Sequence, residues 1–221
     1  MNKKVMRAIY GPSLAEVVLG AILSFAVGVV LAALYLVFKP VDIVKQLPPP
    51  DKRVEGTVYY VQGTENPARG QQLLRKQQLF VEGSSISLTE DELNAWMAAS
   101  SGPPKKPAQD AAASLTTELN FRIRDGVMQI GFPCTLNLLG VTESVIIQMK
   151  GGFQKEGDTF VYRPNVLYIG SLPAQRLPII PALLLKKIYS AQQPPEELVT
   201  AWKKLADVTI DDSTLKLTMP K

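Results

Sequence analysis

From Val17 to Phe38 the chain runs 22 residues without a charge, and most of them are Val, Leu, Ala, Ile or Phe. At 1.5 Å per residue such a helix is roughly 33 Å long, enough for a hydrocarbon core of about 30 Å. A chain anchored in a bilayer by one such rod must place its remainder on one side. Just before the run stands Gly11-Pro12-Ser13-Leu14-Ala15-Glu16. Ser13 and Glu16 have the spacing of a capping box, in which each side chain accepts from the other's backbone N–H. An acid in the first turn also suits the positive end of the helix dipole. Glu16 is therefore expected to finish the helix at the interface; the rival reading is a functional intramembrane carboxylate.

A cleaved signal peptide would also begin with a basic segment such as Met1-Asn2-Lys3-Lys4-Val5-Met6-Arg7. Its apolar region, however, is usually about 7–15 residues and ends at a small-residue cleavage site. Here the run ends at Leu36-Val37-Phe38-Lys39-Pro40. The expectation is an uncleaved anchor with a short cytoplasmic tail at 1–12, a transmembrane helix at 13–38, a spacer at 39–53 and a globular domain at 54–221. Lys3, Lys4 and Arg7 beside the amino terminus favour an inside N-terminus, although Lys39, Lys45, Lys52 and Arg53 follow on the other side. That orientation gives a single-pass protein of the cytoplasmic (inner) membrane with an extracytoplasmic, periplasmic-type domain.

Along the helix, Gly20, Ser24, Gly28 and Ala32 recur every four residues. Small side chains in one stripe let a second helix approach closely, so a partner transmembrane helix, from another copy or another subunit, is expected. The competing reading is that small residues are simply common in membrane helices.

The whole chain carries 24 Lys plus Arg against 20 Asp plus Glu, with a pI near 9.1. Most of that excess flanks the anchor: four of the bases and one of the acids lie at or before Lys39, leaving 20 bases and 19 acids after it. A nearly neutral domain has no electrostatic footprint for DNA or RNA, so no nucleic-acid partner is expected. The sequence has no histidine and one cysteine, Cys134. Zinc sites built from Cys and His within one chain, triads with a histidine base and internal disulfides are all excluded. Cys134 sits among apolar neighbours at two-residue spacing, which favours a buried structural thiol over a reactive one.

After the anchor, Pro48-Pro49-Pro50 reads as a stiff polyproline spacer. Val58-Tyr59-Tyr60-Val61 has short-strand character, and Asn66-Pro67 opens a helix through about Phe80. Thr89 and Glu92 form a second capping box, followed by Leu93, Trp96 and Met97 on one face of an amphipathic helix. Glu90, Asp91 and Glu92 invite a metal or acid–base reading, but acids in a first helical turn are ordinary dipole partners. The stretch 100–114 is a loop rich in Pro and small polar residues.

From Ser114 the period changes to two. Leu115, Thr117, Leu119, Phe121 and Ile123 share one face, and Asp125-Gly126 predicts a hairpin. Met128, Ile130, Phe132, Cys134, Leu136 and Leu138 continue it, then Val145, Ile147 and Met149, and Glu156-Gly157-Asp158 turns into a fourth strand through Ile169. The expected fold class is α+β: an N-terminal transmembrane helix, then a curved antiparallel meander with one apolar and one wet face, packed on short amphipathic helices at 89–99, 181–190 and 195–206. In the last, Leu198, Ala201, Trp202 and Leu205 form the apolar stripe, and Leu215-Lys216-Leu217-Thr218-Met219 closes the chain as an edge or returning strand.

An anchor helix, a proline-rich spacer, the Ser87-Leu88-Thr89 lead into Leu93-Asn94, a long-stranded meander and Ile169-Gly170-Ser171-Leu172-Pro173 before an amphipathic helix resemble the single-pass bacterial proteins related to the tubular lipid-binding (TULIP-like) superfamily. The match spans roughly residues 85–190 and is one of pattern, without a catalytic motif. The resemblance implies a strongly curved sheet around a helix, an apolar groove for an acyl chain, and no enzymatic activity. From the residues, a groove for a lipid or other hydrophobic ligand would be lined by Leu93, Trp96, Met97, Phe121, Phe132, Leu136, Ile147, Phe160 and Ile169. Alternatively these side chains pack against one another and against Trp202 as a closed core. No Gly-x-Ser-x-Gly elbow and no glycine-rich phosphate loop is present, so neither an enzyme nor a cofactor is expected. Two functions remain: a membrane-anchored lipid-binding domain, or an accessory subunit of a larger membrane assembly.

Overall fold

The computed structural model describes residues 11–100, 113–115, 119–138, 141–177, 182–186 and 195–220. Helix α1, Leu14–Phe38, begins with both halves of the expected box: the Glu16 N–H donates to Ser13 Oγ at 3.3 Å and the Ser13 N–H to Glu16 Oε2 at 3.1 Å. It is long and apolar enough to cross a membrane, a description that a membrane anchor and a signal sequence share. None of its residues is buried.

The main sheet is antiparallel and built as the period-two stretches require. Strand β5, Asn120–Arg124, turns through Asp125 and Gly126, both at positive φ, into β6, Val127–Leu138. Then come β7, Val141–Glu156, and β8, Thr159–Ile169, which ends in the two-residue β9, Leu172–Pro173. Cys134↔Val145, Phe132↔Ile147 and Ile130↔Met149 set the β6–β7 register, so the apolar residues of both strands share a face. Cys134 is 1% exposed, the buried thiol that its neighbours indicate.

The first strand differs from the sequence reading. What reads as one alternating run from Leu115 to Ile123 contains two segments, β4 (Ala113–Leu115) and β5. Both pair with the same edge of β6, Leu115 opposite Cys134 and Asn120 opposite Gly131. Five steps of chain answer three steps of β6, so extra residues must leave the ladder between them, as at a bulge; 116–118 lie outside the described residues.

A second sheet has the order β10-β11-β3, formed by Asp207–Asp211, Thr214–Thr218 and Ile86–Thr89. The closing strand is therefore central, not an edge. The residues leading into the second capping box form β3, and Leu88 pairs with Leu215 so that both reach the core. Helix α2, Gly70–Val81, follows a 3-10 turn at Pro67–Arg69, where Asn66 Oδ1 accepts from the Ala68 N–H at 3.2 Å. Helix α3, Glu90–Ser100, carries the Thr89–Glu92 box, and α4 spans Glu196–Lys203. Of the helix expected over 181–190, residues 182–186 are helical and the rest lies outside the described residues.

One apolar cluster joins these elements. Leu73 and Phe80 of α2, Leu93 and Met97 of α3, and Ala201 of α4 meet Phe132, Ile147, Met149, Tyr162 and Leu167 of the main sheet. Trp202 packs beside them, with Nε1–H donating to the Phe160 carbonyl at 2.9 Å and its ring 5.8 Å from that of Phe153.

The opposite face of the sheet is not the wet surface that alternation predicts. The stretch from 42 to 63 lies over it. Strand β1, Asp42–Val44, pairs parallel with β2, Tyr59–Val61, and Pro50–Lys52 form a 3-10 turn between them. The Tyr60 ring rests on Gly131, where a side chain would have no room, and its hydroxyl donates to Asn120 Oδ1 at 3.0 Å. Gln129 Nε2 donates to the Val61 carbonyl at 2.8 Å. Tyr60, Gln129 and Gln148 are 3%, 5% and 2% exposed. Their hydrophilic identities signal solvent, but the stretch from 42 to 63 covers this face instead, and Gln129 bonds its Val61 carbonyl.

Candidate functional site

The nine residues of the expected groove lie along one apolar face of the sheet and on α3, but not at one point. Phe132, Ile147 and Ile169 form a single cross-strand row. Phe160 lies nine residues from Ile169 on the same strand, about 30 Å away at the strand rise. Phe121 sits on β5 opposite Ile130, and Leu93 and Met97 face the sheet from α3. Leu93, Met97, Phe121, Phe132, Ile147 and Phe160 are buried, whereas Trp96, Leu136 and Ile169 are half-buried at the margin of the cluster. The small-residue stripe is elsewhere: Gly20, Ser24, Gly28 and Ala32 are all exposed, with open space around both glycines.

The end of α1 arrives beside Ile169, at the bend that follows β8. Strand β8 pairs with β7 up to Ile169↔Ile147, while β6 and β7 run on together to Leu138↔Val141. The chain turns at Gly170 and Ser171, and the last turn of α1 docks on that bend. The Ser171 N–H donates to the Leu36 carbonyl at 2.9 Å, capping one of the carbonyls a helix end leaves without an intrahelical partner. Ser171 Oγ lies 3.2 Å from the Lys39 carbonyl and 3.4 Å from that of Pro40, and it donates to this pair. The Gly170 N–H donates to the Ile146 carbonyl at 2.8 Å, at φ +58°, and a Cβ there would run into the Val37 carbonyl oxygen. Val37 and Phe38 of the helix end, like Ile169 of the strand end, are half-buried and pack against the core. Lys39 adds a further tie, its ammonium donating to the Gly56 carbonyl at 2.6 Å.

In sequence, Ile169-Gly170-Ser171-Leu172-Pro173 reads as the link between the fourth strand and a helix, not as a socket. The available signal was a glycine followed by a hydroxyl residue at the end of a long strand. What it receives, a helix end more than 130 residues earlier, carries no local trace in sequence.

The acids at the start of α3 have a structural task beyond the helix dipole. Glu90 is buried, and its carboxylate accepts from the Thr64 N–H at 2.5 Å and the Ile123 N–H at 2.9 Å. Glu92, 1% exposed, caps Thr89 and pairs with Lys76 at 2.7 Å. Asn94 bonds both backbone groups of Phe121, donating to its carbonyl and accepting from its N–H, each at 2.7 Å. Glu90 and Asn94 tie α3 to the edge of β5, and Glu92 ties it to Lys76 of α2. Among the described residues, no group of three or more His, Cys, Asp or Glu could hold a metal ion. Burial pushes the Tyr60 hydroxyl well above its ordinary value of 10.0, which suits a neutral hydrogen-bond donor and not a base.

No family model, curated protein or solved structure matches this chain, so its function has to be read from the helix socket and the apolar margin beside it.

Proposed function

We propose that the protein is a non-enzymatic, single-pass membrane protein whose outer domain takes a lipid or other hydrophobic ligand where it meets the bilayer. In this reading α1 is an uncleaved anchor of the inner membrane, with its N-terminus inside. The observation that carries the proposal is the docking of the end of α1 on the Gly170–Ser171 bend, next to the apolar margin at Ile169, with Val37 and Phe38 half-buried against the core. A flexible tether would let the domain float free. A helix end capped by Ser171 holds that margin at the depth where α1 leaves the hydrocarbon, so an acyl chain could move between bilayer and domain without crossing water. The curved meander packed on amphipathic helices, and with it the TULIP-like relation, belongs to the same proposal.

The test is native mass spectrometry of the full chain released from nanodiscs. The expected result is a retained lipid mass that falls on changing Leu136 and Ile169 to Gln. A lipid-free mass under the mildest release, or adducts indifferent to those changes, would count against the reading. The accessory-subunit reading draws on a separate observation, the unpartnered stripe of α1. It requires a protein partner in fixed stoichiometry.

A further inference from the structure

On the face of the sheet opposite the apolar core, a cavity of about 340 Å³ opens between residues 47–59 and strands β7 and β8. That volume is at the small end of the range for small-molecule sites. Its floor is the β7–β8 end of two adjacent cross-strand rows: Lys150 and Val166 in one, which continues through Gln129 to Arg122, and Gln148 and Tyr168 in the next, which continues through Gly131 to Asn120. Tyr60 fills the Gly131 end, so the cleft is left to Gln148, Lys150, Val166 and Tyr168, roofed by Arg53 and Tyr59.

The charges in this cleft are one-sided. Its lining holds Arg53 and Lys150 and, among the described residues, no acid. Lys150 is half-buried, and neither it nor Arg122 makes an ion pair among the described residues. Burial, and then the Arg122 guanidinium, hold the Lys150 ammonium below its ordinary value of 10.5. A cation taken from water beside another cation is costly unless an anion joins them. Arg53 Nε is fixed on the Pro48 carbonyl at 2.8 Å, which leaves the terminal guanidinium nitrogens to donate elsewhere. Tyr59 accepts from the Val54 N–H at 3.0 Å and keeps its own proton to donate. One group has the opposite need: Gln148 Oε1 is a buried acceptor with no hydrogen-bond partner among the described residues.

We infer that this cleft binds a small phosphate ester bearing a free hydroxyl, the chemistry of a glycerol phosphate, with Lys150 and Arg53 on the phosphate and Gln148 Oε1 accepting from the hydroxyl. A phosphate suits two cations that line one cleft, one a planar fork and one a point charge. The hydroxyl supplies the donor that a bare anion lacks. The position fits a membrane source, since Tyr168 lies two residues before Gly170, about 7 Å along the strand from the bend that holds the end of α1. A lipid headgroup and a soluble ester share this chemistry. The site is on the other face from the apolar core, so it stands or falls separately from acyl-chain binding.

The experiment uses the full chain, 15N-labelled, in phosphatidylcholine nanodiscs titrated with glycerol 3-phosphate. The amides of Gln148, Lys150 and Tyr168 are followed. The expected result is saturable shifts, with binding weakened about tenfold or more in both Lys150→Met and Arg53→Ala, as loss of a charge-assisted contact implies. Arg53 is exposed, so its variant reads the site even if Lys150→Met fails to fold. Gln148→Leu should bring the affinity for glycerol phosphate down to that for methyl phosphate. In phosphatidylglycerol nanodiscs, amides already displaced before titration assign the headgroup as the source. Amides undisplaced there, with the soluble ester still binding, assign the soluble ester. No saturable shift in either nanodisc, or binding unchanged in Arg53→Ala, overturns the inference.

Discussion

Gly170 illustrates how much one missing side chain can decide. Its positive φ and its contact with the Val37 carbonyl oxygen both exclude a Cβ. Gly170→Ala is therefore expected to strain the bend and push the end of α1 off its socket, at a cost of about 2 kcal/mol. A lowered urea midpoint for the full chain in detergent, with an unchanged slope, would report this; an unchanged midpoint would mean that α1 and the bend do not touch. Neither partner of Gly170 could be named from sequence, because a close approach between backbones leaves no pattern in the side chains. The capping boxes at Ser13–Glu16 and Thr89–Glu92 were legible because donor and acceptor lie three residues apart and the chemistry is local.

The strands and helices divide by the same criterion. Strands β6, β7 and β8 could be read from alternation, since one face meets a continuous apolar core. The other face deceived: Gln129, Gln148 and Lys150 look solvent-directed, yet the chain from 42 to 63 lies over them. That cover is short, irregular and proline-rich, and it has no periodicity to detect. The one hint was glycine inside strands, at Gly131 above all, which marks close approach. Helix α3 was placed correctly, but Glu90 was underread as a dipole partner. Glu90→Ala leaves the Thr64 and Ile123 N–H groups without their acceptor, one of them fully buried, and is expected to cost about 2–4 kcal/mol in urea unfolding. A loss below about 0.5 kcal/mol would show that water replaces the carboxylate. For α1, the accessory-subunit reading predicts that Gly20→Leu with Gly28→Leu abolishes helix association in a membrane two-hybrid assay. An undiminished signal would remove the stripe from consideration.

Taken together, the elements describe a protein in which the helix suited to a membrane and the folded domain share a boundary. The residues expected to separate them do the opposite: Lys39 holds Gly56, Pro40 and Lys39 accept from Ser171, and Asp42–Val44 adds a strand beside β2. Six of the nine groove residues are buried, and their spread along about 30 Å of sheet leaves Ile169 as the one beside the end of α1. The most direct check is hydrogen exchange at the Ser171 amide in the full chain embedded in nanodiscs, since its acceptor is the Leu36 carbonyl and no strand ladder protects it. Exchange as slow as that of the Met149 amide, in the buried stretch of β7 that is paired on both sides, is the predicted result. Exchange at the rate of an unstructured peptide would mean that the domain hangs free of its helix, and would contradict the account.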